Sequence, residues 1–101
     1  MNAMLNMLGL CARAGALVTG EKACVQQIRA GKAMAALLDG AASENAVKAV
    51  GQACLTHGVP LLRCPDGALG RAAGRPGRMA AAVTDAGMAK RLMELCEQAG
   101  D

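Results

Sequence analysis

The chain has 101 residues, 53% of them hydrophobic, none of them Phe, Tyr or Trp, and its eleven Lys and Arg against eight Asp and Glu leave a net charge of +3. That length predicts one domain (1–101) with a single core, filled by Leu, Val, Met, Ala and Cys instead of aromatic rings. The missing rings exclude base stacking on aromatic side chains, and so small a charge does not by itself point to nucleic acid.

Met1 to Cys11 is apolar, but it lacks a basic leader and is interrupted by Asn2, Asn6 and Gly9, so no signal peptide is expected. The spacing predicts a first amphipathic helix instead. Asn2, Asn6, Gly9 and Arg13 fall on one side, with Met4, Leu5, Leu8 and Cys11 opposite. Gly15 ends this helix, and Ala16-Leu17-Val18 allows only a short strand or extended link. Thr19 is the expected N-cap of the second helix, with Glu21 in its first turn, where a carboxylate favours the helix dipole. That helix turns Cys24, Val25 and Ile28 inward and Lys22, Gln26 and Arg29 outward, and stops at Gly31.

The run Ala33 to Leu38 is apolar throughout and followed by Asp39-Gly40, as suits a strand buried on both faces. Ser43 caps a third helix whose apolar set is Ala46, Val47, Val50, Ala53 and Cys54, with Asn45, Lys48 and Gln52 facing water; Gly58 closes it. Val59 to Cys64 reads as the next strand, with Pro60 near its start, where a missing N–H is tolerated. After a turn at Pro65-Asp66-Gly67, Ala68 to Ala73 form a short helix. Gly74 to Arg78 then make an irregular loop into a last buried strand, Met79 to Val83. Thr84 or Asp85 caps the final helix, which sets Met88, Leu92, Leu95 and Ala99 against Lys90, Glu94 and Glu97. Helices alternating with short buried strands predict an α/β fold, an α/β/α sandwich around a small sheet. The pattern does not fix the strand order.

Two stretches carry chemistry. Val18 to Lys22 presents helix-start N–H groups, a hydroxyl and two opposite charges at one corner. Arg63, Arg71, Arg75 and Arg78 fall within sixteen residues that contain one acid, Asp66, and of these Arg71, Arg75 and Arg78 are suited to bidentate phosphate contacts. Gly70, Gly74 and Gly77 have the plain reading of turn geometry, and the string lacks the Gly-Lys-Ser/Thr ending of a P-loop. The five cysteines show no close pairing of the kind zinc or redox motifs use, so they read as reduced core thiols in a cytoplasmic protein. His57, the sole histidine, precedes Gly58 and suits a helix C-terminus. No nucleophile, base and orienting group assemble, so no enzyme, cofactor or metal site is expected. No run approaches the roughly 18 apolar residues of a membrane span.

The fragments Leu10-Cys11-Ala12-Arg13-Ala14-Gly15, Thr19-Gly20-Glu21, Arg29-Ala30-Gly31-Lys32-Ala33, Ala42-Ser43-Glu44-Asn45, His57-Gly58-Val59-Pro60, Leu69-Gly70-Arg71-Ala72-Ala73-Gly74 and Ala82-Val83-Thr84-Asp85-Ala86-Gly87 follow one another in that order. Together they resemble the ribosomal L-seven-Ae type kink-turn RNA-binding family, most closely its small bacterial YlxQ-like branch. The resemblance implies a three-layer α/β/α sandwich with a four-stranded mixed sheet, binding sharply bent RNA. By position it implies that Thr19, Gly20 and Glu21, with Lys22, meet the RNA groove at sheared G·A pairs, and that Gly74 to Met79 cradle a flipped-out nucleotide. Gly70, Arg71, Arg75, Gly77 and Arg78 complete the expected RNA-binding set. A glutamate suits guanine N–H donors. The chain departs from the family's corner at two places: Gly20 stands where an asparagine usually precedes the glutamate, and Cys24 where a lysine usually follows it. The expected partner is structured RNA, ribosomal RNA included. The alternative is a protein-interaction accessory factor of the same fold in translation or ribosome assembly.

Overall fold

The structure, a computed structural model, describes residues 2–100, and of 97–100 the backbone only, so the sides assigned above to Glu97 and Ala99 fall outside the described side chains. Helix α1, Ala3–Arg13, begins where the Asn2 side chain accepts hydrogen bonds from the backbone N–H groups of Met4 and Leu5, at 2.8 and 3.3 Å. Strand β1, Leu17–Thr19, follows, then helix α2, Glu21–Arg29. Thr19 is therefore the last residue of a strand and not the helix cap. That place belongs to Gly20, whose carbonyl accepts the first helical bond from the Cys24 N–H at 2.9 Å.

Strand β2 is Ala35–Asp39, helix α3 Glu44–His57 and strand β3 Leu61–Cys64. Helix α4 is Ala68–Ala73, strand β4 Ala80–Val83 and helix α5 Ala86–Gly100. Ser43 Oγ accepts from the Ala46 N–H at 3.2 Å, and Gly58 closes α3 in the left-handed region, both as the sequence predicts. At α5 the open choice falls to Asp85, whose Oδ1 accepts from the Met88 N–H at 2.8 Å. The Thr84 N–H instead donates to the Ala16 carbonyl, tying the end of β4 to the start of β1. Strands begin later than their apolar runs suggest. Ala33 and Met34 precede β2, with the Met34 N–H on the Val83 carbonyl, while Val59 and Pro60 precede β3.

The sheet runs β1-β4-β2-β3. β4 pairs antiparallel with β1 and with β2, and β2 pairs parallel with β3 across the α3 crossover. The two central strands contain five alanines between them, a residue with poor strand propensity. They are strands because helices cover both faces. Every residue of β2 and β4 is buried, and alanines let the covering helices approach closely.

On one face Met4, Leu8 and Cys11 of α1, Leu69 of α4 and Leu92 of α5 pack on Leu37 and Val83. On the other, Cys24 and Ile28 of α2 and Val50 and Cys54 of α3 pack on Leu38, Ala36, Ala80 and Ala82. Each fully buried Leu or Ile is worth about 1.5–3 kcal/mol relative to exposure. Gly9 is the exception to the predicted solvent side of α1. It is buried, because a methyl group there would stand 3.2 Å from the Ala72 carbonyl oxygen of α4.

Candidate functional site

The α2 corner is held by backbone. Gly20 donates its N–H to the Ala80 carbonyl at 2.8 Å, and Thr19 pairs with Ala81, so the start of α2 is fixed to the start of β4. Gly20 adopts φ 109°, a conformation that side-chain-bearing residues rarely take, and no side chain caps α2. Its first turn therefore presents N–H groups beside the exposed Glu21 and Lys22.

The second loop reaches the same place. A Cβ at Gly20 would stand 3.0 Å from Arg78 Nη1, so the Arg78 guanidinium occupies the space over this glycine. The loop that brings Arg78 there is shaped by Gly70, Gly74 and Gly77. Gly74 ends α4 at φ 70° and Gly77 takes φ 89°. The Arg75 N–H donates to the Gly70 carbonyl at 2.8 Å, and the Arg78 N–H to the Arg75 carbonyl at 3.2 Å. Gly70 is buried under this loop, and a Cβ on it would come within 2.8 Å of the Arg75 carbonyl oxygen and 3.0 Å of the Gly77 nitrogen. Gly70 thus serves close approach, while Arg75 and Arg78 stay exposed.

Two residues from the sequence reading sit elsewhere. Arg71 lines a groove between α1 and α4, with its Nε donating to the Gly67 carbonyl at 3.3 Å. Cys24 points into the core, and its thiol donates to the Ala81 carbonyl at 3.3 Å. Burial, with Cys54 nearby, pushes the Cys24 thiol up to about 12. The position one turn into α2 is therefore a packing site in this chain, and Lys22 supplies the exposed cation of that turn.

Asp39 is the organising residue that the sequence did not single out. It is a fully buried carboxylate at the end of β2. Oδ2 accepts from the N–H groups of Ala41 at 2.9 Å and Gly67 at 2.8 Å, and Oδ1 from Leu69 at 3.1 Å. Burial alone would raise its pKa, but the three N–H donors, with the Arg71 charge, hold it below the ordinary value of 3.8. Asp39 so ties the loop after β2 to the start of α4, the helix that carries the arginine loop. The sequence offers only Asp39-Gly40 at the end of an apolar run; the structure adds that Gly40 has no room for a Cβ beside Asp66 Oδ1 and the Cys64 carbonyl, so this loop packs closely on its neighbour. Among the described residues no three His, Cys, Asp or Glu side chains converge as a metal site, and no helix is long and apolar enough to cross a membrane.

The layer order, the mixed four-stranded sheet and the α2 corner beside the α4–β4 loop define a small α/β/α sandwich with two exposed arginines, Arg75 and Arg78, on that loop. The chain belongs to the ribosomal protein L7Ae/L30e/S12e/Gadd45 family, whose model matches residues 2–93. It is 38% identical over 92 residues to the RNA-binding protein YlxQ of Bacillus subtilis (strain 168), covering 90% of this chain and 92% of that protein. It is 34% identical over 94 residues to the RNA-binding protein YlxQ of Enterococcus faecium, covering 92% and 90%. These matches put it in the YlxQ-like branch. Among solved structures, a Bacillus halodurans protein of unknown function superposes with a TM-score of 0.91 at 31% identity, covering 96% of this chain and 99% of the other. The Giardia lamblia 15.5kD RNA binding protein shares the fold, with a TM-score of 0.74 at 24% identity over 93% of this chain and 84% of the other.

Proposed function

We propose that this protein is a non-catalytic RNA-binding protein that recognises a bent or bulged, kink-turn-like element in structured RNA, in the setting of the ribosome or translation. The observation that carries the reading is the Arg78 guanidinium over Gly20, which joins the α2 corner and the Gly74–Arg78 loop in one surface. The family and the YlxQ relatives that carry an RNA-binding name support the same reading.

On that surface the roles divide by chemistry. Glu21 is an acceptor for guanine N–H donors and reads bases. The α2 N–H groups, Thr19, Gly20 and Lys22 hold the backbone against the helix start. Arg75 and Arg78 take phosphates, and Gly70, Gly74 and Gly77 shape the loop that presents them.

The test is a binding titration of a bulged duplex with tandem G·A pairs against a continuous duplex of equal length, over a range of salt. Glu21→Ala is expected to remove about 1–3 kcal/mol of the preference for the bulged RNA. Arg75→Ala and Arg78→Ala are expected to weaken both RNAs and each to lower the salt slope by about one. Equal affinity for both RNAs together with a silent Glu21→Ala defeats the reading.

A further inference from the structure

Between α1 and α4 runs an open groove of about 570 Å3, apart from the corner assigned above to RNA. Gly9 and Ala72 line it where the two helices meet backbone to backbone, at the Ala72 carbonyl. Leu5, Leu10, Ala68 and Ala72 give it an apolar lining, and Leu10 is 47% exposed. A lone exposed leucine means little, but here it continues a concave apolar strip.

Its polar lining has one sign. Arg13 contributes from α1 and Arg71 from α4, Asn2 and Asn6 are neutral, and no acidic residue lines the groove among the described residues. The Arg13 Nη1 lies 3.5 Å from where a methyl group on Gly9 would sit, so its guanidinium folds back over the lip. Along α1 the groove's lining runs from Asn2 to Arg13, about 16 Å at about 1.5 Å per residue, the length of three helical turns.

We propose that this groove docks an acidic, leucine-bearing amphipathic segment of a partner protein, with its carboxylates on Arg13 and Arg71 and its apolar side chains on Leu5 and Leu10. Guanidinium groups pair bidentately with carboxylates, and an apolar groove takes the apolar face of a helix. An RNA backbone would satisfy the arginines but leave the leucines uncovered, and the groove has no ring on which a base could stack. The favoured occupant is therefore protein.

The experiment titrates the isotope-labelled full chain with a synthetic helical peptide of Leu, Glu and Ala about three turns long, following backbone resonances. The peptide is expected to shift Leu5, Gly9, Leu10, Ala68 and Ala72. The same peptide with every glutamate replaced by lysine is expected to leave them in place. Arg13→Glu and, separately, Leu10→Glu are expected to weaken the acidic peptide about tenfold or more; both positions are exposed, so both variants keep the fold. The bulged duplex should shift Gly20, Glu21 and Arg78 and leave the groove unmoved. Four results overturn the proposal: equal binding of the lysine peptide, affinity unchanged in both variants, occupation of the groove by the duplex, and groove resonances that move with protein concentration alone, which would make the occupant a second copy.

Discussion

Replacing Asp39 tests whether one buried carboxylate holds the loops that frame the corner. Asp39→Asn keeps the shape. Its amide oxygen can stand for Oδ2 and keep the Ala41 and Gly67 N–H groups, but its NH2 then faces the Leu69 N–H, donor against donor. Losing one charge-assisted bond costs about 1.5–3 kcal/mol, and the other two weaken on neutralisation, so the expected loss is about 2–4 kcal/mol. That is a large share of the roughly 5–15 kcal/mol of a small domain. Urea unfolding followed by far-ultraviolet circular dichroism reads it directly, since there is no tryptophan to report by fluorescence. The pH dependence carries a second signature. Because the folded carboxyl titrates below its ordinary 3.8, its stabilisation is complete above that value and is lost as pH falls through the folded pKa. Wild type should therefore lose stability on acidification below about pH 4, and Asp39→Asn should lose less, so that the gap narrows. An Asn variant within 0.5 kcal/mol of wild type at pH 7, roughly the reach of a neutral surface change, would refute the account.

Gly70→Ala isolates the loop from the helix beneath it. Alanine suits α4, yet its methyl would press on the Arg75 carbonyl at 2.8 Å, so stability in thermal unfolding is expected to fall by about 1–3 kcal/mol while RNA affinity drops about tenfold; unaltered affinity would argue against the loop. Alkylation at pH 8 of the native protein is expected to be confined among the described cysteines to Cys96, since the other four are buried and Cys24 and Cys64 are pushed up to about 12 and 11. With those thiols protonated in the folded state and ionising near 9 once unfolded, stability should fall as pH rises above 9 and be lost progressively toward those folded values; mass spectrometry and alkaline urea titrations check both.

Much of the framework is legible from residues that act locally. Ser43 and Gly58 bound α3 because a hydroxyl cap and a left-handed glycine work within one turn of chain. β2 and β4 are recognisable as uninterrupted apolar runs between turns, since strands covered on both faces need no alternation. What escapes the sequence depends on distant partners. Thr19 looks like a cap until β4 arrives to pair with it, leaving Gly20 at the helix start. Gly9 looks like a polar-side residue until α4 packs on it. Asp39 reads as a strand-end turn residue, because the three N–H groups that it gathers come from its own loop and from positions 28 and 30 residues away. The strand order is hidden for the same reason. Of the proposed site, the place of Glu21 at the start of α2 and the turns at Gly74 and Gly77 can be read in advance, while the departure of Arg71 toward α1 cannot.

The contact between Gly20 and Arg78 also constrains how this protein can change over generations. Two positions 58 residues apart share one volume, so a side chain at residue 20 would displace the guanidinium at residue 78 from its present place. An asparagine placed at residue 20 alone would meet an unsuitable backbone and an occupied space. A lineage that places a side chain there must therefore reshape the turn before α2 and move the arginine tip aside, and among relatives the identities of these two residues are expected to travel together.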